Sequence, residues 1–157
     1  MSLVVEYRKA RSQEDVARLR RAMALRALVA TGASQREIAE ALGISQSAVS
    51  QQLRATQSVA SSDPQTLIEA AGPILVDVAV SRGFGRLAVF GSVARNEATP
   101  ESDIDLIVEA PIGAGLKEVL ALRSLFESIV GRPVDLVTYG GLRDHLDDDI
   151  RHDLVPL

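Results

Sequence analysis

Cysteine is absent from these 157 residues, which excludes disulfides, thiolate metal sites and a cysteine nucleophile together. The lack suits a reducing compartment, and a cytoplasmic location is expected. Aromatics are nearly as scarce. Tryptophan is missing, and three Phe and two Tyr leave the aromatic share at 3%, so a core has to be packed from Ala, Leu, Val and Ile. No apolar run approaches the ~20 residues that a membrane-spanning helix needs; the best stretch, 74–80, is broken by Asp77. A secretory leader is not expected either, because Glu6, Arg8, Lys9 and Arg11 have no apolar segment behind them. What is present is a composition that folds: 46% hydrophobic and 24% charged.

The net charge of -4 conceals a division. Residues 1–60 carry nine Lys/Arg against five Asp/Glu, and residues 61–157 carry eight against sixteen. A basic front on an acidic back suggests two units with different partners, a polyanion for the first and metal cations for the second. Uneven dealing of ordinary surface charge would give the same sums. The division expected is 1–60 and 61–157.

Along the chain, a first helix is expected from Ser12, with Val16, Leu19, Met23 and Ala27 forming an amphipathic stripe that Gly32 ends. Ser34 caps a second helix over 35–42, closed by Gly43, and Ser45 caps a third from Gln46 to about Ala55. Residues 56–63 have the small polar composition of a linker. Asp63-Pro64 reads as a cap and first turn, with Gly72-Pro73 expected to kink or restart the helix that follows. Three short apolar runs, 87–90, 104–108 and 134–137, read as strands, with a helix over 116–130 between the last two. An acidic stretch from Leu142 to Leu154 reads as a final helix. It holds the two histidines, His145 and His152, for which exposed helix positions outweigh a metal or base role.

Between Gln35 and Arg54 the spacing becomes specific. Ala39 sits where two helices must cross closely, Gly43 falls in the turn, and Val49 follows six residues later. The segment resembles a helix-turn-helix, with Ile38, Leu42, Ile44 and Leu53 completing the shared core. The resemblance implies a recognition helix that begins at Gln46, capped by Ser45. Gln46, Ser47, Ser50 and Gln51 would face the major groove of double-stranded DNA, and Arg36 and Arg54 would touch phosphates. A three-helix module that docks a protein would share the same pattern. Because the recognition face holds few cations, a homodimer over two half-sites is expected rather than a monomer.

The strongest signal is Gly91-Ser92, ten residues, then Asp103-Ile104-Asp105. Carboxylates two apart on a strand point to one face and can share a metal site, and Mg²⁺ prefers such oxygen donors. Gly91 lets the backbone approach a phosphate, Ser92 adds a hydroxyl, and amides opening the next helix suit an anion. Asp135 offers a third carboxylate in a similar apolar setting. Arg95 is a candidate for phosphate contact or transition-state charge, with an ion pair to Glu97 or Glu101 as the equal alternative.

Phe90-Gly-Ser-Val-Ala-Arg95 with Ser102-Asp-Ile-Asp-Leu106 resembles the minimal nucleotidyltransferases of the DNA polymerase β superfamily. The resemblance covers roughly 67–157 and implies an α+β chain: an all-α helix-turn-helix module, then a small mixed sheet flanked by helices. It places Gly91, Ser92 and Arg95 at the triphosphate of ATP, and Asp103, Asp105 and Asp135 at Mg²⁺, two ions in all. Asn96 stands where the family usually has Gly, and Asn tolerates the left-handed backbone that the loop requires. In this family such domains serve as antitoxins that transfer AMP to a tyrosine hydroxyl of a HEPN-type toxin. A fused DNA-binding head would then repress the operon. Two other readings remain open: a transcriptional regulator that senses ATP without transfer, and an enzyme that adenylylates a small hydroxylated molecule.

Overall fold

The computed structural model describes residues 2–143 and 147–157. Three helices open the chain, α1 (Ser2–Ala30), α2 (Gln35–Leu42) and α3 (Gln46–Ala55), followed by a 3-10 turn, Thr56–Ser61. Then come α4 (Pro64–Ser81), β1 (Gly85–Phe90), α5 (Gly91–Ala94), β2 (Ile104–Glu109), α6 (Leu116–Val130), β3 (Val134–Thr138), a second 3-10 turn, Tyr139–Gly141, α7 (Asp148–Asp153) and β4 (Val155–Pro156). The strands form one mixed sheet in the order β3-β2-β1-β4. β2 and β3 run parallel across the α6 crossover, and β1 pairs antiparallel with β2 and with β4.

Period-2 burial divides this sheet. Leu87 and Val89 of β1, Ile104, Leu106 and Val108 of β2, and Val134 and Leu136 of β3 face a core shared with α4 and α6. Ala88, Phe90, Ile107 and Val137 face the opposite side, where Leu142, Ile150 and Leu154 of the C-terminal segment cover them. At the far end, Tyr139 Oη donates to the Arg86 carbonyl at 2.9 Å, and the Arg86 guanidinium lies 4.2 Å from the Tyr139 ring centre.

The first core does not stop at residue 60. Val16, Leu19, Met23 and Ala27 of α1 are buried in it beside Leu67, Leu75, Phe126 and Ile129. On its other side α1 gives Leu25 to a smaller core with Ile38, Ala39 and Val49, packed by Ala33, Ile44 and Leu53. One helix therefore serves both units, and the charge boundary is not a packing boundary.

Several local expectations are corrected. α1 begins at Ser2, ten residues before the expected cap at Ser12, because residues 2–11 hold no Gly or Pro and Glu6, Arg8, Lys9, Ala10 and Arg11 favour the helix; residues 2–15 are exposed throughout. Residues 56–61 form a 3-10 turn with Thr56 and Val59 buried, not a free linker. The helix is not restarted at Gly72-Pro73: Pro73 sits inside α4, where burial of Ile68, Ala71 and Leu75 on either side outweighs its missing backbone donor. Leu42, expected in the head's core, is 51% exposed. Of the expected helix over 142–154, Asp148–Asp153 forms α7 and Val155–Pro156 then pairs as β4 with β1, while residues 144–146 lie outside the described residues.

Candidate active site and nucleic-acid face

The helix-turn-helix geometry forms from local rules. Ser34 and Glu37 make a reciprocal capping box at the start of α2, Ser34 Oγ accepting from the Glu37 amide at 3.2 Å and Glu37 Oε2 from the Ser34 amide at 2.7 Å. Those bonds hold the Glu37 carboxyl below its ordinary range. Gly43 takes φ +67° and ends α2, turning the chain into α3. Ser45 Oγ accepts from the Ala48 amide at 3.0 Å, so its hydroxyl oxygen is engaged as the cap of α3. Gln46, Ser47 and Gln51 are exposed, and Ser50 is half-buried and accepts from Arg54 at 3.1 Å. Arg36 is exposed and paired with Glu40 at 3.4 Å.

At the second site three segments converge. β2 and β3 align Asp105 opposite Asp135 in parallel register, and β1 brings Phe90 opposite Asp105. Asp103 precedes β2 by one residue; alternation along the chain gives it the sheet face of Asp105. Gly91 follows β1 with φ +71°, and a Cβ there would overlap the Asp105 carboxylate, 3.1 Å from Cγ. Only glycine permits both the backbone and the approach. Ser92 is the next residue of α5, whose single turn is closed by the Arg95 amide donating to the Gly91 carbonyl at 3.1 Å. Asn96 takes φ +56°, as expected of the residue standing in for glycine.

Burial raises the Asp105 carboxyl above its ordinary value; Asp135 and then Asp103 add to the shift, and Arg95 opposes it. Three carboxylates, with a glycine cradle beside them, fit Mg²⁺ in donor chemistry. As the side chains stand, no group of three or more His, Cys, Asp or Glu encloses an ion site among the described residues.

Arg95 makes two ion pairs, with Glu97 at 3.0 Å and with Asp153 at 2.6 Å. The first was one of the alternatives in the sequence. Asp153 was missed, because nothing local links α7 to a residue 58 positions earlier. His152 is exposed on α7, and His145 lies outside the described residues.

Residues 80–155 match the model of the nucleotidyltransferase domain. A protein of Methanocaldococcus jannaschii named as a protein adenylyltransferase is 35% identical over 81 residues, 52% of this chain and 87% of that protein. The chain belongs to the nucleotidyltransferase family. This nucleotidyltransferase is also 30% identical over 73 residues to the protein adenylyltransferase MntA of Thermococcus cleftensis, covering 46% of this chain and 74% of MntA. A solved structure described as a minimal nucleotidyltransferase superimposes with TM-score 0.54 and 32% identity, covering 59% of this chain and 95% of that one. Residues 15–60 match a homeodomain-like domain. No helix among the described residues is long and apolar enough to cross a membrane.

Proposed function

We propose that this enzyme is a protein adenylyltransferase of antitoxin type, moving AMP from ATP to a tyrosine hydroxyl of a cognate HEPN-type toxin in the cytoplasm. Residues 1–60 act as a DNA-binding head that represses the operon as a homodimer, and residues 61–157 carry out transfer. The observation that carries the transfer reading is the junction of β1 and α5, where Gly91 leaves room for the Asp105 carboxylate opposite Asp135.

In the reaction the acceptor oxygen forms a bond to the α-phosphorus while the bond from that phosphorus to the bridging oxygen breaks, and pyrophosphate leaves with the electron pair. Two Mg²⁺ ions, when bound, would offset charge on the triphosphate and acidify the acceptor hydroxyl. Asp103 and Asp105 are the residues to hold metal against the triphosphate. Asp135 would orient the acceptor and draw off its proton. Gly91 and Ser92 would seat the phosphates. Arg95, released from Glu97 or Asp153, would add positive charge there.

Mixing the enzyme with ATP, Mg²⁺ and the HEPN-type product of the adjacent gene should add the mass of AMP to that product. Asp135→Ala should retain much of the Mg·ATP affinity by calorimetry and lose most of the transfer. A wild type that binds ATP and never consumes it, with the partner present, would assign the pocket to sensing instead.

A further inference from the structure

Arg132 is a buried cation with no carboxylate partner among the described residues. Among the described residues its hydrogen-bond partners are backbone carbonyls. Nη1 donates to the Ser62 carbonyl at 3.3 Å, and Nη2 donates to the carbonyls of Pro100 and, at 2.8 Å, Ser102. A buried guanidinium is costly to desolvate, and an apolar side chain would fill the same space more cheaply. What an apolar side chain cannot do is hold three divergent oxygens in a planar fork.

Two of those oxygens belong to the loop that delivers Asp103. Ser102 already closes this loop locally, its Oγ accepting from the Thr99 amide at 2.8 Å while its own amide donates to the Thr99 carbonyl at 2.9 Å. Arg132 precedes β3 and stands three residues before Asp135. The neighbouring Pro133 carbonyl accepts from the Ile104 amide at 3.3 Å, at the point where Ile104 pairs with Val134. The Asp103 loop is thereby fastened to the strand that carries Asp135. The remaining bond fastens both to Ser62, in the connection leading from the head.

We propose that Arg132 is a positioning residue of the transfer site: its guanidinium fixes the spacing between the Asp103 loop and the Asp135 strand, and seats the connection to the head on that same joint. The proposal rests on the reading of Asp103 and Asp135 as metal-site residues.

The test uses the full chain with Arg132→Met, Arg132→Lys and Asp103→Asn. Mn²⁺ binding is followed by electron paramagnetic resonance with a non-hydrolysable ATP analogue present. AMP transfer is followed by kcat and KM, and folding by thermal melting. Arg132→Met should weaken Mn²⁺ binding and lower kcat, each by about tenfold, the scale typical of residues that orient metal ligands. KM for ATP should hold within about threefold, a split that a general loss of fold does not give. Arg132→Lys, which keeps the charge without the fork, should recover part of both losses.

A folded Arg132→Met with wild-type Mn²⁺ affinity and kcat overturns the proposal. Should Arg132→Met fail to fold, the folded Lys variant decides: weakened Mn²⁺ binding upholds the proposal and wild-type behaviour overturns it. Asp103→Asn separates this from failure of the underlying reading. If that variant binds Mn²⁺ and transfers AMP like the wild type, the carboxylate assignment itself is wrong.

Discussion

In the head, the residues expected to meet DNA lie within one short stretch, 36–54, on two helices joined by a three-residue turn, 43–45. The proposed transfer site is gathered from 91–95, 103–105 and 135, brought together by strand register. The head's proposed recognition surface is shaped by caps and a left-handed glycine, all local, over a small core that takes in only Leu25 of α1. The transfer site depends on β1, β2 and β3 pairing correctly, and on a core that α1 helps to fill. A surface change in the head should therefore alter recognition alone, whereas an interior change in α1 should reach both functions.

The largest expected effect breaks the transfer site while sparing the head. Asp103→Asn and Asp105→Asn should each cut AMP transfer by more than the ~100-fold that loss of a supporting partner costs, with DNA binding retained and no loss of melting temperature. Radiolabelled ATP and a gel-shift titration read the two quantities separately.

Next is the helix that the two regions share. Met23 is fully buried in the larger core, so Met23→Ala should cost about 2–5 kcal/mol in chemical denaturation. Because α1 also supplies Leu25 to the head, both regions should unfold in one transition, visible as coincident changes in helix signal and DNA binding. A fragment ending at Ser61 would expose Val16, Leu19, Met23 and Ala27 and should not fold stably by circular dichroism. Removing the exposed residues 2–11 should leave the melting temperature almost unchanged. A stable, DNA-binding fragment 1–61 would show that the head is independent after all.

Smaller effects are expected at the recognition helix. Gln46→Ala and Gln51→Ala should relax base preference by ~1–3 kcal/mol wherever the amide reads an adenine in two contacts, without changing the transfer rate. Competition binding with altered operators measures this.

The smallest effect is electrostatic. Asp105 has a raised carboxyl in the fold, so the native state holds its proton to higher pH than the unfolded chain does. Between the ordinary carboxylate value and the raised one the native state binds more protons, and stability falls as pH rises through that window. Metal-free Asp105→Asn should thus melt higher than the wild type near neutral pH. The difference should vanish below the ordinary carboxylate range. Melting curves across pH in the presence of a chelator would reveal it, and an unchanged difference at all pH values would contradict it.

Legibility differed with the range of the interactions. α2, α3 and α6 end where capping residues and apolar spacing put them, since those signals act within one turn. β4 could not be read, because two residues form a strand only by pairing with β1. The start of α1 is not legible from its cap, because a capping residue at Ser12 cannot interrupt a helix that continues on both sides. Leu42 shares the apolar spacing of Ile38 and Ala39, yet it is left out of the core they form with Leu25 and Val49.

What the sequence determined by itself is the chemistry on offer: a glycine and serine after a strand, paired aspartates entering another, a third carboxylate on a third strand, and a capped helix pair with a polar recognition face. Each rests on neighbours a few positions away, whose torsional preferences and hydrogen bonds are set along the chain. Only the tertiary structure decided that α1 belongs to both cores, that Asp153 holds Arg95, and that Arg132 ties the Asp103 loop to the approach of the head. Those contacts join residues tens of positions apart. Their partners are selected by burial and register, which exist only once the helices and sheet have packed.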